Sequence, residues 1–419
     1  MSWTTGFAPE LVTKIETVDK KIADRLEELR QIALSNQAKV LQAFTHQQIS
    51  ETHFMPSTGY GHDDMGRDAL EAVYAEVFGA EAAIVRPQIV SGTHAIATAL
   101  FGSLRPGEKL LYITGTPYDT LMEVIGLAGN GIGTLKEWGI AYDQVELQAD
   151  GSVDFDGIRE KLTPEVKVVG IQRSRGYASR PSFTVAQIKE MCDFVKAVAP
   201  DVTIFVDNCY GEFAELLEPT QVGADLMAGS LIKNPGGGIA KTGGYIAGRK
   251  ELVERCAYQL SAPGIGIEGG AMLNTVFDML QGFFLAPHVV NQAICGAVFT
   301  AALLEEYGID STPRWDDPRT DLIQLVDLKE KAAMVKFAQA IQAYSPVDAF
   351  VAPIPSYMPG YEDDIIMAAG TFVQGASIEL SADGPIREPY SLYVQGGLTY
   401  EHVKIAVANA VNAVYHQVN

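Results

Sequence analysis

Thr203-Ile204-Phe205-Val206-Asp207-Asn208 is an apolar run that ends in an acid. A second strand-like run, Asp225-Leu226-Met227-Ala228-Gly229, leads through Ser230-Leu231-Ile232 into Lys233 and the turn Asn234-Pro235-Gly236-Gly237-Gly238. An acid closing a buried strand and a lysine before a glycine-rich turn are two parts of a pyridoxal 5'-phosphate (PLP) site. The amine can condense with the cofactor aldehyde, and the acid can keep the pyridine nitrogen protonated so that the ring accepts electrons. Lys241 is a rival amine beyond the three glycines. Lys233 is preferred because Ser230 and the preceding run place it on a supported segment.

Outward from this pair, apolar runs at 82–85, 110–113, 166–171, 203–206 and 245–247 read as strands, and patterns near 93–103, 118–128, 185–199 and 250–259 read as helices. Such alternation argues for an α/β fold, a mostly parallel sheet covered on both faces, with ligands at the carboxyl ends of the strands. Asp207 and the Ser91-Gly92 turn fall at such ends. Past residue 290 the pattern changes to helices at 292–307, 328–344 and 401–415, with short strand-like pieces at 348–352, 377–380 and 390–394. Upstream, Leu11, Ile15, Val18, Ile22, Leu26, Leu29 and Ile32 form one apolar helical stripe, with a break expected at Ser35-Asn36. Residues 51–67 read as an irregular loop, followed by a helix that stops at Gly79. Three parts result: an N-terminal helical arm and interface loop (1–67), a large α/β domain (68–289) and a smaller C-terminal α+β domain (290–419).

The chain has 419 residues, 47% of them hydrophobic, and a formal charge of −21. That charge argues against nucleic acid or an anionic membrane as partner, because both would repel it. Four well-separated cysteines without a CxxC pair, and an opening Met1-Ser2-Trp3-Thr4-Thr5 that lacks a basic and then apolar leader, suggest a reduced, cytoplasmic protein. The apolar stretch 272–290 is interrupted by Asn274, Asp278, Gln281 and His288, so it reads as a buried helix and turn rather than a membrane span.

Ser91-Gly92-Thr93-His94 opens a helix whose N–H groups could receive the cofactor phosphate, although such turns also cap ordinary helices. Tyr118 could stack on the pyridine ring or be a plain turn aromatic. Ser230 could donate to the phosphate or close a turn. No metal site is expected. The competing reading, a non-catalytic acidic protein that takes up cations, rests on the short clusters His62-Asp63-Asp64 and Glu362-Asp363-Asp364.

Together these segments resemble the cysteine/methionine-metabolism PLP enzymes of fold type I, the cystathionine lyase and methionine γ-lyase group. Gly223-Ala224-Asp225 through Lys233 is similar to that family's lysine motif, Val206-Asp207-Asn208-Cys209-Tyr210 to its ring-nitrogen motif, and Ser91-Gly92-Thr93 to its phosphate turn. Ile171-Gln172-Arg173-Ser174-Arg175-Gly176-Tyr177 with Arg180-Pro181-Ser182, and Gln395-Gly396-Gly397-Leu398-Thr399-Tyr400, resemble a bacterial aluminium-resistance or methionine γ-lyase-like branch.

The resemblance implies a transferase-like large domain with a seven-stranded sheet, PLP as cofactor, and a carbon–sulfur lyase acting on a sulfur-containing amino acid. Lys233 would deprotonate Cα before β- or γ-elimination. Transamination, aldol cleavage and decarboxylation use the same parts and stay open. Tyr60 and His62 occupy the place where the family has a tyrosine and an arginine that reach a neighbour's phosphate, implying a homodimer or homotetramer with shared sites and Tyr60 helping the leaving group. For the substrate carboxylate the candidate is Arg387, with Arg173 and Arg175 behind it. Three departures stand out: His62 for the arginine, Ile232 for the usual hydroxyl residue, and Gln172 to Tyr177 for an Asn-Pro segment.

Overall fold

The computed structural model describes residues 2–178, 180–358 and 363–416, and the chain divides into two compact units, 36–284 and 1–35 together with 285–419. Glu362, part of one acidic cluster noted above, lies outside the described residues.

In the larger unit seven strands form one sheet: β1 (Ala82–Arg86), β2 (Lys109–Tyr112), β3 (Ala141–Gln144), β4 (Val166–Gln172), β5 (Thr203–Asp207), β6 (Leu226–Ser230) and β7 (Gly244–Gly248), in the order β1-β7-β6-β5-β4-β2-β3. Only β7 runs against its neighbours β1 and β6. The remaining strands therefore bring their carboxyl ends to one edge. Residues such as Val168, Ile204, Leu226 and Ile246 are sealed on both faces, which is why these strands read as continuous apolar runs. Helices Gly92–Ser103, Val185–Val198 and Lys250–Leu260 appear where periodicity placed them. The helix Met65–Phe78 ends on Gly79 at φ 62°, a left-handed stop that glycine adopts without strain.

Asp225 fixes how β6 enters the sheet. Its Oδ2 accepts from Ile204 N at 2.8 Å and faces Lys196 Nζ at 2.7 Å, while Oδ1 faces Arg249 at 3.5 Å. One carboxylate thus ties β5, a covering helix and the end of β7 to the strand that carries Ser230.

In the other unit β8 (Ser311–Thr312), β9 (Ile323–Asp327), β10 (Ile365–Ala368), β11 (Ser381–Pro385) and β12 (Ser391–Gln395) form an antiparallel sheet in the order β10-β11-β12-β9-β8. The first helix, Pro9–Lys21, packs within this unit rather than standing as a separate arm: Ala8 N donates to Asn412 Oδ1 at 3.3 Å and Lys14 Nζ to Glu306 O at 2.7 Å.

Several expectations change. The helical break at Ser35-Asn36 is absent, and a single helix runs Ala23–His46. Ser35 Oγ donates to Gln31 O one turn back, a bond made within the continuing helix, and Asn36 Nδ2 spends its donors on Phe213 O and Glu215 O, away from the helix backbone. The helices read separately within 272–290 and at 292–307 are joined, because Val276–Glu305 is one helix of 30 residues with Pro287 inside it. It is long and apolar enough to cross a membrane, yet 78% of its most apolar window is buried within the protein. The strand expected at 348–352 is not formed, and the one expected at 377–380 lies later, at Ser381–Pro385.

Removing the Asp225 carboxylate (Asp225→Ala) strands the Ile204 N–H in the sheet. The expected cost is about 1–3 kcal/mol in urea unfolding, without loss of the folded circular-dichroism spectrum.

Candidate active site

The carboxyl edge of the large sheet gathers most of the residues singled out from sequence. Asp207 closes β5 between Gln172 at the end of β4 and Ser230 at the end of β6, in register with Gln172 and Ala228. The sheet therefore fixes the lateral spacing of these side chains without any help from loops. Lys233 follows Ser230 after one turn, in which Lys233 N donates to Ser230 O at 3.3 Å.

Asp207 is buried, and its Oδ1 accepts from Cys209 N at 3.1 Å. Burial pushes its carboxyl up, while the Lys233 ammonium and the Cys209 amide pull it back toward the charged form. Burial drags the Lys233 ammonium down, but Cys209, Tyr210, Asp207 and Tyr118 outweigh it and hold the amine above the usual lysine range. Lys241, the rival, is exposed and paired at 2.8 Å with Asp278.

On the other side of this edge the helix Gly92–Ser103 begins with Ser91 as its cap, the hydroxyl accepting from His94 N at 3.0 Å. Gly92 sits so close that a Cβ there would meet Ser230 Cβ at 3.2 Å and Cys209 Sγ at 3.3 Å. Ser230 Oγ is buried beside it with no hydrogen-bond partner. A helix N-terminus, a glycine approach and an unsatisfied hydroxyl make a cradle suited to an anion. Thr93 Oγ1 lies 3.1 Å from the Tyr118 hydroxyl, and Tyr118 N donates to Gln172 Oε1 at 3.0 Å, which sets the ring beside the same edge. Burial raises the Tyr118 phenol, so it stays protonated at neutral pH.

Other expected residues lie in different surroundings. Tyr60 is exposed, and its ring stacks on His62 at 5.5 Å. Asp64, in the cluster once considered for cations, caps a helix by accepting from Arg67 N at 2.9 Å. Arg173 is wholly buried and engaged by Asn208 Oδ1 at 2.8 Å, Glu215 at 3.1 Å and Glu218 at 3.4 Å. Arg175 is buried, with its backbone N–H on Ser182 Oγ at 3.0 Å. Arg387 belongs to the other unit, where it is exposed and faces Asp363 at 3.6 Å.

Four residues at this edge went unassigned in the sequence reading. Cys209 lines the cradle beside Gly92. Tyr210 carries its ring centroid 3.9 Å from Lys233 Nζ. Asn234 Nδ2 holds the carbonyls of Tyr210 and Glu212, both at 2.9 Å. Glu212 accepts from the Tyr245 hydroxyl at 2.8 Å, while its Oε2 is buried without a partner. The one sequence hint was an acid set directly before Phe213-Ala214 with no polar periodicity around it.

The family described as methionine gamma-lyase matches residues 11–415. The chain belongs to that family. An uncharacterized protein of Bacillus subtilis is 59% identical over 398 residues, covering 95% of this chain and 94% of its own. A crystal structure from Listeria monocytogenes, named for a proposed cystathionine beta-lyase involved in aluminum resistance, is 63% identical with a TM-score of 0.95, covering 96% of this chain and 99% of that one. At 16% identity and a TM-score of 0.60, a pyridoxal-5'-phosphate dependent Escherichia coli protein shares the architecture over 90% of this chain and 94% of its own. The fold is fold type I of the PLP-dependent enzymes, as the sequence motifs implied.

Burial pushes the Glu212 carboxyl up to about 8. Between an unfolded value near 4.5 and that folded value, the native state holds a proton the unfolded chain has lost, so stability falls as pH rises through this window. Glu212→Gln keeps a neutral group at all pH. Its unfolding midpoint should exceed the natural protein's most at about pH 9, with the advantage fading toward pH 5; a constant difference across that range would refute the assignment.

Proposed function

We propose that this protein is a PLP-dependent carbon–sulfur lyase that acts on a sulfur-containing amino acid. The observation that carries the reading is the convergence of an unsatisfied Ser230 hydroxyl, the Gly92 approach, buried Asp207 and the Lys233 amine on one sheet edge. This donor set fits PLP. Bound there, the cofactor supplies an electron sink for the pair left at Cα when its proton departs.

The protein's own groups do the rest. Ser230, Gly92 and Thr93 would hold the phosphate, helped by the positive end of the helix Gly92–Ser103. Asp207, whose burial favours the neutral acid while Lys233 and the Cys209 amide favour the carboxylate, would keep a proton on the ring nitrogen. Tyr118 would present a flat face to the ring, and Gln172 holds the tyrosine backbone in place. The Lys233 amine would take the Cα proton and deliver protons later in the cycle.

Departure of a thiolate from the β- or γ-carbon is the step that family membership favours, and the name borne by the Listeria relative agrees with it. For the substrate carboxylate, Arg387 remains the candidate. Arg173, locked among Asn208, Glu215 and Glu218, is read as structural, and so is Arg175. Tyr60, exposed in the single chain, would act on a neighbouring copy, making the working enzyme a homodimer or homotetramer. Its compartment in this reading is the cytoplasm, consistent with four free, buried cysteines.

Borohydride reduction after incubation with PLP should fix the label on the Lys233 peptide. Lys233→Ala should lose that label and at least about 100-fold in turnover, the least expected for loss of a positioned proton-transfer group. Release of keto acid, ammonia and thiol from cysteine, cystathionine and methionine, with alanine as the control lacking a leaving group, identifies the bond broken. Label on another lysine, or turnover of alanine alone, would overturn the reading.

A further inference from the structure

The turn Asn208 to Phe213 is strained in a way that serves Lys233. Tyr210 has φ 72° and Phe213 has φ 62°, both in the left-handed region that bulky side chains avoid. Such conformations persist only where surrounding bonds over-determine them, and they mark sites where the strain has a use. Here the bonds are visible. Gly211 N donates to Asn208 O at 2.9 Å, and Asn234, buried and adjacent to Lys233, donates from Nδ2 to Tyr210 O and Glu212 O. The residue next to the amine therefore clamps the turn that carries the ring, and the ring centroid stands 3.9 Å from Lys233 Nζ. An ammonium within about 6 Å of an aromatic face is attracted by the ring quadrupole, whereas a neutral amine gains little.

We propose that Tyr210 is a positioning residue for Lys233, its ring face holding the ammonium form of the amine and so setting the pH at which that amine becomes a free base. This rests on Lys233 being the proton-carrying amine of the proposed function. After taking a proton from Cα, the amine becomes a cation that must stay in place until a later group needs that proton. The Tyr210 ring gives it a fixed seat on a face that cannot itself accept the proton. Asp207, Cys209 and Glu212 also face the amine, as does the Tyr118 phenol. The ring differs from them in acting through its face, so its contribution survives removal of the hydroxyl.

That distinction defines the test. In cofactor-free protein, the rate at which acetic anhydride acetylates Lys233 is followed against pH by peptide mass spectrometry. Tyr210→Phe should keep the midpoint of the natural protein. Tyr210→Leu should lower it by about one pH unit, the scale of a desolvated cation–π contact. Because leucine does not fill the space of the ring in this strained turn, phenylalanines with increasing ring fluorination at position 210 give the same readout in a near-isosteric series, and the midpoint should fall stepwise with fluorine count. An unchanged midpoint across that series, or a fall in Tyr210→Phe as large as in Tyr210→Leu, overturns the proposal. The titration contains no cofactor, so its failure leaves the PLP assignment standing. Borohydride label on a lysine other than Lys233 would remove Lys233 from its proposed role while leaving the titration intact.

Discussion

A carboxylate buried at the end of a parallel strand is unfavourable unless a cation faces it, and most of the site can be understood from that requirement. Asp207 sits where the sheet excludes water, and a nearby lysine pulls its carboxyl toward the charged state. The parallel register of β4, β5 and β6 then decides what else is within reach, because each neighbouring strand ends beside it. Asp225, at the opposite end of β6, belongs to the same device, since it sets where that strand begins and hence where Ser230 falls.

Beneath this edge lies a second buried polar layer. Asn208 donates to Glu218 at 2.9 Å and to the Tyr245 hydroxyl at 3.3 Å, and the Tyr245 hydroxyl donates in turn to Glu212 at 2.8 Å. Arg173 closes the chain from the other end through Asn208 and Glu218. Phe78 packs against Tyr74, Tyr245, Phe213 and Phe283 around it, so the polar layer is walled by aromatic rings. Low polarity raises the cost of any unmet partner there, and a network of this kind rigidifies the turn above it. That turn is the one carrying Tyr210.

The sheet and its acid–lysine pair were legible in the sequence because buried parallel strands leave an unmistakable apolar run, and the acid and lysine interrupt such runs at their ends. The cradle was legible in part: Ser91-Gly92-Thr93 announced a helix start, but nothing in it told that Gly92 would press against Ser230 and Cys209. Arg173 misled because an arginine in a polar motif looks available, and only burial shows that three partners consume it. Tyr210 was hidden for a different reason. A positive φ at a tyrosine has no local sequence signature, and it comes from Asn234 reaching back across the fold. Short antiparallel pieces of the second sheet were the least legible, since strands of four or five residues leave too little alternation to read.

Cys192, Cys256 and Cys295 are free and buried, with thiols pushed up to about 12, and the Cys209 thiol in the cradle is raised as well. Hardly any thiolate exists on this protein at neutral pH, so its own sulfur is a poor nucleophile toward disulfides and electrophiles. For a catalyst of the proposed kind, whose turnover would shed small sulfur nucleophiles, that would be a form of self-protection: oxidised by-products would find no reactive partner on the protein, and the site could work in a sulfur-rich milieu without being capped by what it releases.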